Sequence, residues 1–296
     1  MQFKKILVGV DFSETSESVI NSAVYVGNIF GAEIKLVHVI ESVIFPIAFD
    51  DLEPLVDPEE FQKITKKIEE ISQLSSEKLK NIAERITKEK GIKTTFSVVT
   101  GDIAEEILDI CEEGSFDLVI IGAHQKMSHQ NLLLGNEAEK IVNKAASSVL
   151  VVKGKTLQNI KKVLVGYDFL PNSIEALETA KEIAKKTGAE IDIIHADTEE
   201  GYAHFSHIYE TVFQKKVNIL KEIREKLRIE GINVDFEIIK TSPDKAIIEG
   251  IKDFHSDLIV VGKRQRKDIK RFFLGTIAMR VVKNSPVSVL IVRKRN

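Results

Sequence analysis

Apolar residues in this chain form short unbroken runs, separated by segments where they recur every three or four positions. Residues 4–10 are the first such run, rich in β-branched side chains, and they predict a strand buried on both faces. Behind Ser13, Glu14 and Glu17, which suit a helix start, Val19, Ile20, Ala23, Val24 and Ile29 follow helical spacing as far as Gly31. The same reading predicts strands over 33–39, 93–99, 117–121 and 148–152, and helices over 103–113 and 136–145. A long amphipathic helix is predicted from Pro58 to Lys90, closed by Gly91. The order returns between Lys161 and Val292, with its own long helix near His204–Glu230. Strands alternating with helices at this spacing predict parallel βαβ units wound on both faces of a sheet.

The chain repeats itself. Lys5-Ile-Leu-Val-Gly-Val-Asp-Phe12 matches Lys162-Val-Leu-Val-Gly-Tyr-Asp-Phe169 at an offset of 157, which also relates His38 to His195. Farther on, the offset falls to 140, relating Gly122 to Gly262 and Gly135 to Gly275, so the first copy holds 17 extra residues between His38 and Gly122. Two homologous α/β domains in tandem follow, 1–153 and 160–296, joined near Lys153–Ile160. Each is expected to be a doubly wound, Rossmann-like five-stranded parallel sheet.

Asp117–Val152 and Asp257–Val292 carry the clearest candidate chemistry. In each, a buried strand ends on glycine, and a polar loop leads to a second glycine at a helix start. That arrangement directs backbone N–H groups and a positive helix end above the sheet, which suits phosphate. Asp11 and Asp168 fall just past the first strand of each copy, where doubly wound sheets bind ligands.

Composition narrows the classes. With 296 residues, 43% hydrophobic content and a net charge of −3, nothing global points to nucleic acid or a membrane surface. No apolar run approaches the roughly 20 residues needed to span a bilayer. The opening Met-Gln-Phe-Lys-Lys-Ile-Leu-Val leads directly into a strand without a cleavable signal pattern, so a cytoplasmic location is expected. Cys111, the single cysteine, excludes an internal disulfide and reads as core.

Val-Asp-Phe-Ser-Glu-Thr at 10–15, Val-His-Val at 37–39, Gly-Asp-Ile-Ala-Glu-Glu-Ile at 101–107 and the two glycine-loop-glycine segments resemble the universal stress protein family over nearly the whole chain. The resemblance implies two adenine nucleotide alpha hydrolase-like domains, and many members bind ATP or another adenine nucleotide. Nucleotide-binding members carry Gly-x-x-Gly, nine residues, then Gly-Ser/Thr. Here the segments read Gly122-x-x-Gln125 before Gly135-Asn136, and Gly262-x-x-Gln265 before Gly275-Thr276, with the spacing intact. Gln in place of glycine puts a side chain where a distal phosphate would lie. A shortened site is expected, binding AMP or ADP at least as well as ATP. The implied nucleotide contacts are Gly9, Val10, Asp11, Val39, Gly122, Gln125, Gly135, Asn136 and Glu137 in the first half. In the second they are Gly166, Tyr167, Asp168, Ala196, Gly262, Gln265, Gly275, Thr276 and Ile277.

Each candidate has a plainer reading beside it. Asp11 and Asp168 would otherwise cap the turn into the following helix. The six basic residues between Lys263 and Arg271 would neutralise phosphate or form a solvated surface loop. His204 and His207 lack a third ligand fixed by spacing, so no metal site is expected, and His38 and His195 read as packed or turn histidines. The insertion Ile40–Asp57, with Phe45 and Phe49, would cover the first site or pack on the other half. No nucleophile elbow or Walker loop is present, so a non-enzymatic stress-response module is expected, with slow nucleotide hydrolysis left open.

The competing class is a nucleotide-free interaction module serving an unidentified protein partner. The fifth strands, 148–152 and 287–292, are apolar edges and are expected to pair within the chain as a pseudo-dimer, with homodimerisation open. The second half is expected to be the stronger site, because it combines Gly275-Thr276 with the basic loop, although Tyr167 replaces Val10 and crowds it.

Overall fold

The computed structural model describes residues 3–41, 57–123, 134–197, 206–263 and 276–293. The first repeat runs β1 (Lys5–Gly9), α1 (Ser16–Phe30), β2 (Glu33–Glu41), α2 (Pro58–Lys90), β3 (Thr94–Gly101), α3 (Ile103–Glu113), β4 (Leu118–Gly122), α4 (Asn136–Lys144) and β5 (Ser148–Val152). The second runs β6 (Lys162–Gly166), α5 (Pro171–Thr187), β7 (Glu190–Ala196), α6 (Ser206–Ile229), β8 (Val234–Ile239), α7 (Pro243–Phe254), β9 (Leu258–Gly262), α8 (Thr276–Asn284) and β10 (Ser288–Val292). Gly31, Gly91 and Gly188 end their helices in the left-handed conformation that glycine adopts without penalty.

All ten strands form one sheet in the order β3-β2-β1-β4-β5-β10-β9-β6-β7-β8. Each repeat is parallel throughout, and the two meet where β5 and β10 pair antiparallel, Leu150 opposite Leu290. Ser148–Val152 and Ser288–Val292 are buried at every position, so the join removes two apolar edges. Winding reverses between β1 and β4, and again between β6 and β9. Two apolar layers cover the sheet across both repeats: one beneath α1, α2, α5 and α6, the other beneath α3, α4, α7 and α8.

Repeated aspartates set the strand starts. Asp117 Oδ2 accepts from the Lys4 and Lys5 amides at 2.6 and 3.0 Å. Asp257 Oδ2 does the same for Lys161 and Lys162, at 2.8 and 3.0 Å. The connection between repeats is anchored on α1, where Ser22 Oγ accepts from Leu157 N at 2.8 Å and the Tyr25 hydroxyl from Ile160 N at 2.9 Å. Cys111 lies in the core, its sulfur 3.2 Å from Ser147 Oγ, and burial pushes its thiol pKa up. Among the described residues, no helix is long and apolar enough to cross a membrane.

One element differs from its sequence pattern. Helix α1 starts at Ser16 rather than Ser13, because Asp11 Oδ1 accepts from Ser13 N and Ser13 Oγ (3.0 and 2.7 Å) and from Ser16 Oγ. Those bonds wind 11–15 into a turn before the helix begins.

Candidate functional site

At the end of β1 the chain turns sharply. Val10 N still donates to Val37 O at 2.8 Å, and the Val10 carbonyl accepts from His38 Nδ1 at 2.7 Å. Phe12 takes a left-handed backbone, φ 56°, with its ring 4.6 Å from the His38 ring. A phenylalanine held there stores strain, which persists only where its surroundings fix it. The second repeat reproduces the device: His195 Nδ1 donates to Tyr167 O at 2.9 Å, Phe169 has φ 63°, and the two rings lie 4.7 Å apart. This left-handed Phe went unread in the sequence, although the repeated Asp-Phe pair at 11–12 and 168–169 was its signal. Both histidines are packed against the turn. Burial lowers the His195 pKa against the opposing pull of its bond to Tyr167, and its Nε2 has no hydrogen-bond partner among the described residues.

Beyond β1 and β4 lies a cavity of about 800 Å³. Gly9, Val10, Asp11, Val39, Gly122, Gly135, Asn136 and Glu137, all expected from the sequence, line it. Val37, Ile103, Ile107, Ile121 and Ile141 make one wall apolar. Helix α4 opens into this space from Gly135, an extended residue that has no side chain with which to cap the first-turn N–H groups. Glu137 faces away from a capping role, paired with Lys140 at 2.9 Å and accepting from Ala104 N at 3.3 Å. Lys140 also pairs with Asp102 at 3.2 Å. The backbone bond from Glu105, aided by Lys140, holds the Asp102 carboxyl below its usual range.

The equivalent space in the second repeat measures about 200 Å³ and is bordered by Gly166, Tyr167, Asp168, Ala196, Gly262 and Ile277, again as expected. Tyr167 is buried there, its ring edge-on to Phe169 at 5.1 Å. Gly262 is required by packing: a Cβ on it would stand 2.3 Å from the Asn172 carbonyl oxygen at the start of α5. Asp168 Oδ1 accepts from Leu170 N at 3.0 Å, so this aspartate, like Asp11, organises its turn. Thr276 opens α8. Its side chain, Gln125, Gln265, Gly275, the side chain of His207, and residues Phe45, Phe49 and His204 lie outside the described residues.

Lys263 departs from the expected phosphate-facing role. It is 2% exposed, and its Nζ donates to Val142 O at 2.9 Å and Ala145 O at 3.0 Å, the carbonyls that end α4 in the other repeat. The negative end of that helix attracts the ammonium, while burial pulls its pKa down to about 7. The sequence also gave no hint of Lys283, which crosses from α8 to Glu139 at 2.7 Å and reaches the first cavity. Its position 140 residues earlier is Asn143, so the repeat pattern hides the contact.

Asp197 stands at the rim, just past β7. Its buried carboxylate accepts from the Tyr209 hydroxyl at 2.7 Å and pairs with Lys216. Those bonds outweigh burial and lower its pKa. Among the described residues no three His, Cys, Asp or Glu side chains cluster as metal ligands.

Comparison with known proteins agrees with this architecture. The sequence model of the Universal stress protein family matches residues 2–153 and again 159–293. A universal stress protein of Methanocaldococcus jannaschii is 32% identical over 164 residues, 52% of this chain and 98% of its own. One of Mycolicibacterium smegmatis is 23% identical across 98% of this chain and 97% of its own. The crystal structure of a universal stress protein from Archaeoglobus fulgidus superposes over 100% of both chains, with a TM-score of 0.76 at 25% identity. With two family matches on two copies of one βαβ sheet, the chain belongs to the universal stress protein family as a tandem two-domain member.

Proposed function

We propose that the first repeat binds an adenine nucleotide, and that the protein acts as a nucleotide-responsive binding module rather than a catalyst. The observation that carries this reading is the cavity of about 800 Å³ at the β1/β4 switch point, which joins an apolar wall to the open N-terminus of α4. Ligand pockets of this kind run from about 300 to 1,000 Å³, and switch points are where doubly wound sheets bind ligands. In this reading the base lies against Val10, Val39 and Ile107, with Asp11 beside the ribose. The phosphate meets the amides that follow Gly135. The family's adenine-nucleotide members make the ligand class the natural one.

The second repeat fits a nucleotide-free role better. A space of about 200 Å³ is below that range, and the buried Tyr167 lines it. Mass spectrometry of small molecules released on denaturing the purified protein tests the assignment, together with calorimetry on Gly135→Asp. We expect one adenine nucleotide per chain and loss of binding in the variant, since a carboxylate at the helix start repels phosphate. Retained affinity in Gly135→Asp, or two nucleotides per chain, would count against it.

A further inference from the structure

The first cavity is bordered by four carboxylates, Asp11, Glu41, Glu137 and Glu139, and among its described residues by one cation, Lys283. That cation belongs to the other repeat. It stands in the last turn of α8 and reaches Glu139, in the first turn of α4, at 2.7 Å. Both side chains remain partly open, 43% and 34% exposed, so neither is locked in place. A lysine carries its charge on a flexible four-carbon stem, and a solvated pair of this kind holds its partner weakly.

The pseudo-twofold axis makes the contact one-sided. Positions 139 and 283 correspond through the offset of 140 to Met279 and Asn143, which carry no charge. The second repeat therefore gives a cation to the first and receives none from this pair. Glu139 sits where the helix end favours negative charge, so it holds Lys283 beside the place a phosphate on the Gly135 amides would take. Among the described lining residues Glu137 is already paired with Lys140, and the remaining carboxylates still outnumber Lys283, so a phosphate group of low charge is favoured over a triphosphate chain.

We infer that Lys283, supplied by the second repeat, is a specificity-determining contact for the phosphate of a nucleoside monophosphate in the first cavity, moving from Glu139 onto that phosphate. The inference rests on the nucleotide reading of that cavity. It gives the tandem arrangement a role, because occupancy of one repeat is then felt by a helix of the other.

Calorimetric titration of the full chain with AMP and with adenosine tests it. Lys283→Ala should weaken AMP about tenfold and leave adenosine unchanged, because a charge-assisted contact to phosphate is lost and none to the nucleoside. Lys283→Arg should restore most of the AMP affinity. Glu139→Gln should tighten AMP about threefold by freeing the lysine and removing a like charge. AMP and adenosine weakened equally by Lys283→Ala would show a packing role and overturn the inference. So would unchanged AMP affinity in that variant, and either outcome would leave the nucleotide assignment standing. A wild-type chain that takes up neither AMP nor adenosine would remove the assignment and the inference together.

Discussion

At the end of β1 the first repeat places Val10 beside a cavity of about 800 Å³; at the end of β6 the second places Tyr167 beside one of about 200 Å³. The turns that follow are built alike, with an aspartate binding the next amides, a left-handed Phe and a His bonded back to the strand end. In the second, the stack Tyr167–Phe169–His195 extends the Phe12–His38 pair by one ring. The two rims thus differ on a shared scaffold, and Tyr167 in place of Val10 is one of the differences. Duplication kept the scaffold, which the core enforces, while the rim diverged.

Exchanging those residues should give the largest effect. Val10→Tyr places the second repeat's ring in the first cavity and should weaken nucleotide binding at least about thirtyfold, roughly 2 kcal/mol, by occupying the space of the base. Tyr167→Val should leave first-site affinity unchanged and add a weak second site. Calorimetric stoichiometry reads both. Full affinity in Val10→Tyr would end the comparison as drawn.

The glycines that close β4 and β9 offer a second contrast. An added Cβ at Gly262 would collide with the Asn172 carbonyl at 2.3 Å, whereas at Gly122 the nearest atom is a Val19 methyl at 3.1 Å. Backbone yields less than a side chain, so Gly262→Ala should destabilise by about 2 kcal/mol and Gly122→Ala by less than about 1. Denaturant unfolding measures the pair, and equal costs would mean that α5 shifts as freely as a methyl group.

A smaller, pH-dependent difference comes from Lys263, whose first-repeat counterpart is Ala123. Burial holds its folded pKa at about 7 and that of Lys153 at about 8, below the roughly 10.4 of an unfolded lysine. Between those values the unfolded chain binds more protons, so stability rises with pH and levels off above the unfolded value. From pH 7 to 9 Lys263 should add up to about 2 kcal/mol of that rise. Lys263→Met should flatten the rise, leaving the smaller share of Lys153. An unchanged slope would mean that the ammonium is better solvated than its burial implies.

Much of the fold was legible because each βαβ unit is specified locally. Buried strands read as β-branched runs, and Gly31, Gly91 and Gly188 mark helix ends through their own backbone preference. The pairing of β5 with β10 was legible too, since two apolar edges in one chain have little else to pair with, while its antiparallel sense came from the structure. Most lining residues could be read from the resemblance and the switch-point rule. At Asp11 and Asp168 the plainer reading, a cap on the turn into the next helix, is the one the hydrogen bonds show, and the structure adds which amides and hydroxyls each carboxylate binds.

The sequence by itself determined the duplication, the strand and helix order, the aspartate and glycine positions at the rim, and the family. Tertiary structure alone decided the size of each cavity and the targets of Lys263 and Lys283, which both leave their own repeat for the other. Strand and helix patterns arise from contacts a few residues apart, whereas a long side chain's partner depends on how whole elements are packed. Lys263 meets the end of α4 and Lys283 meets Glu139 only because β5 and β10 bring the two repeats together.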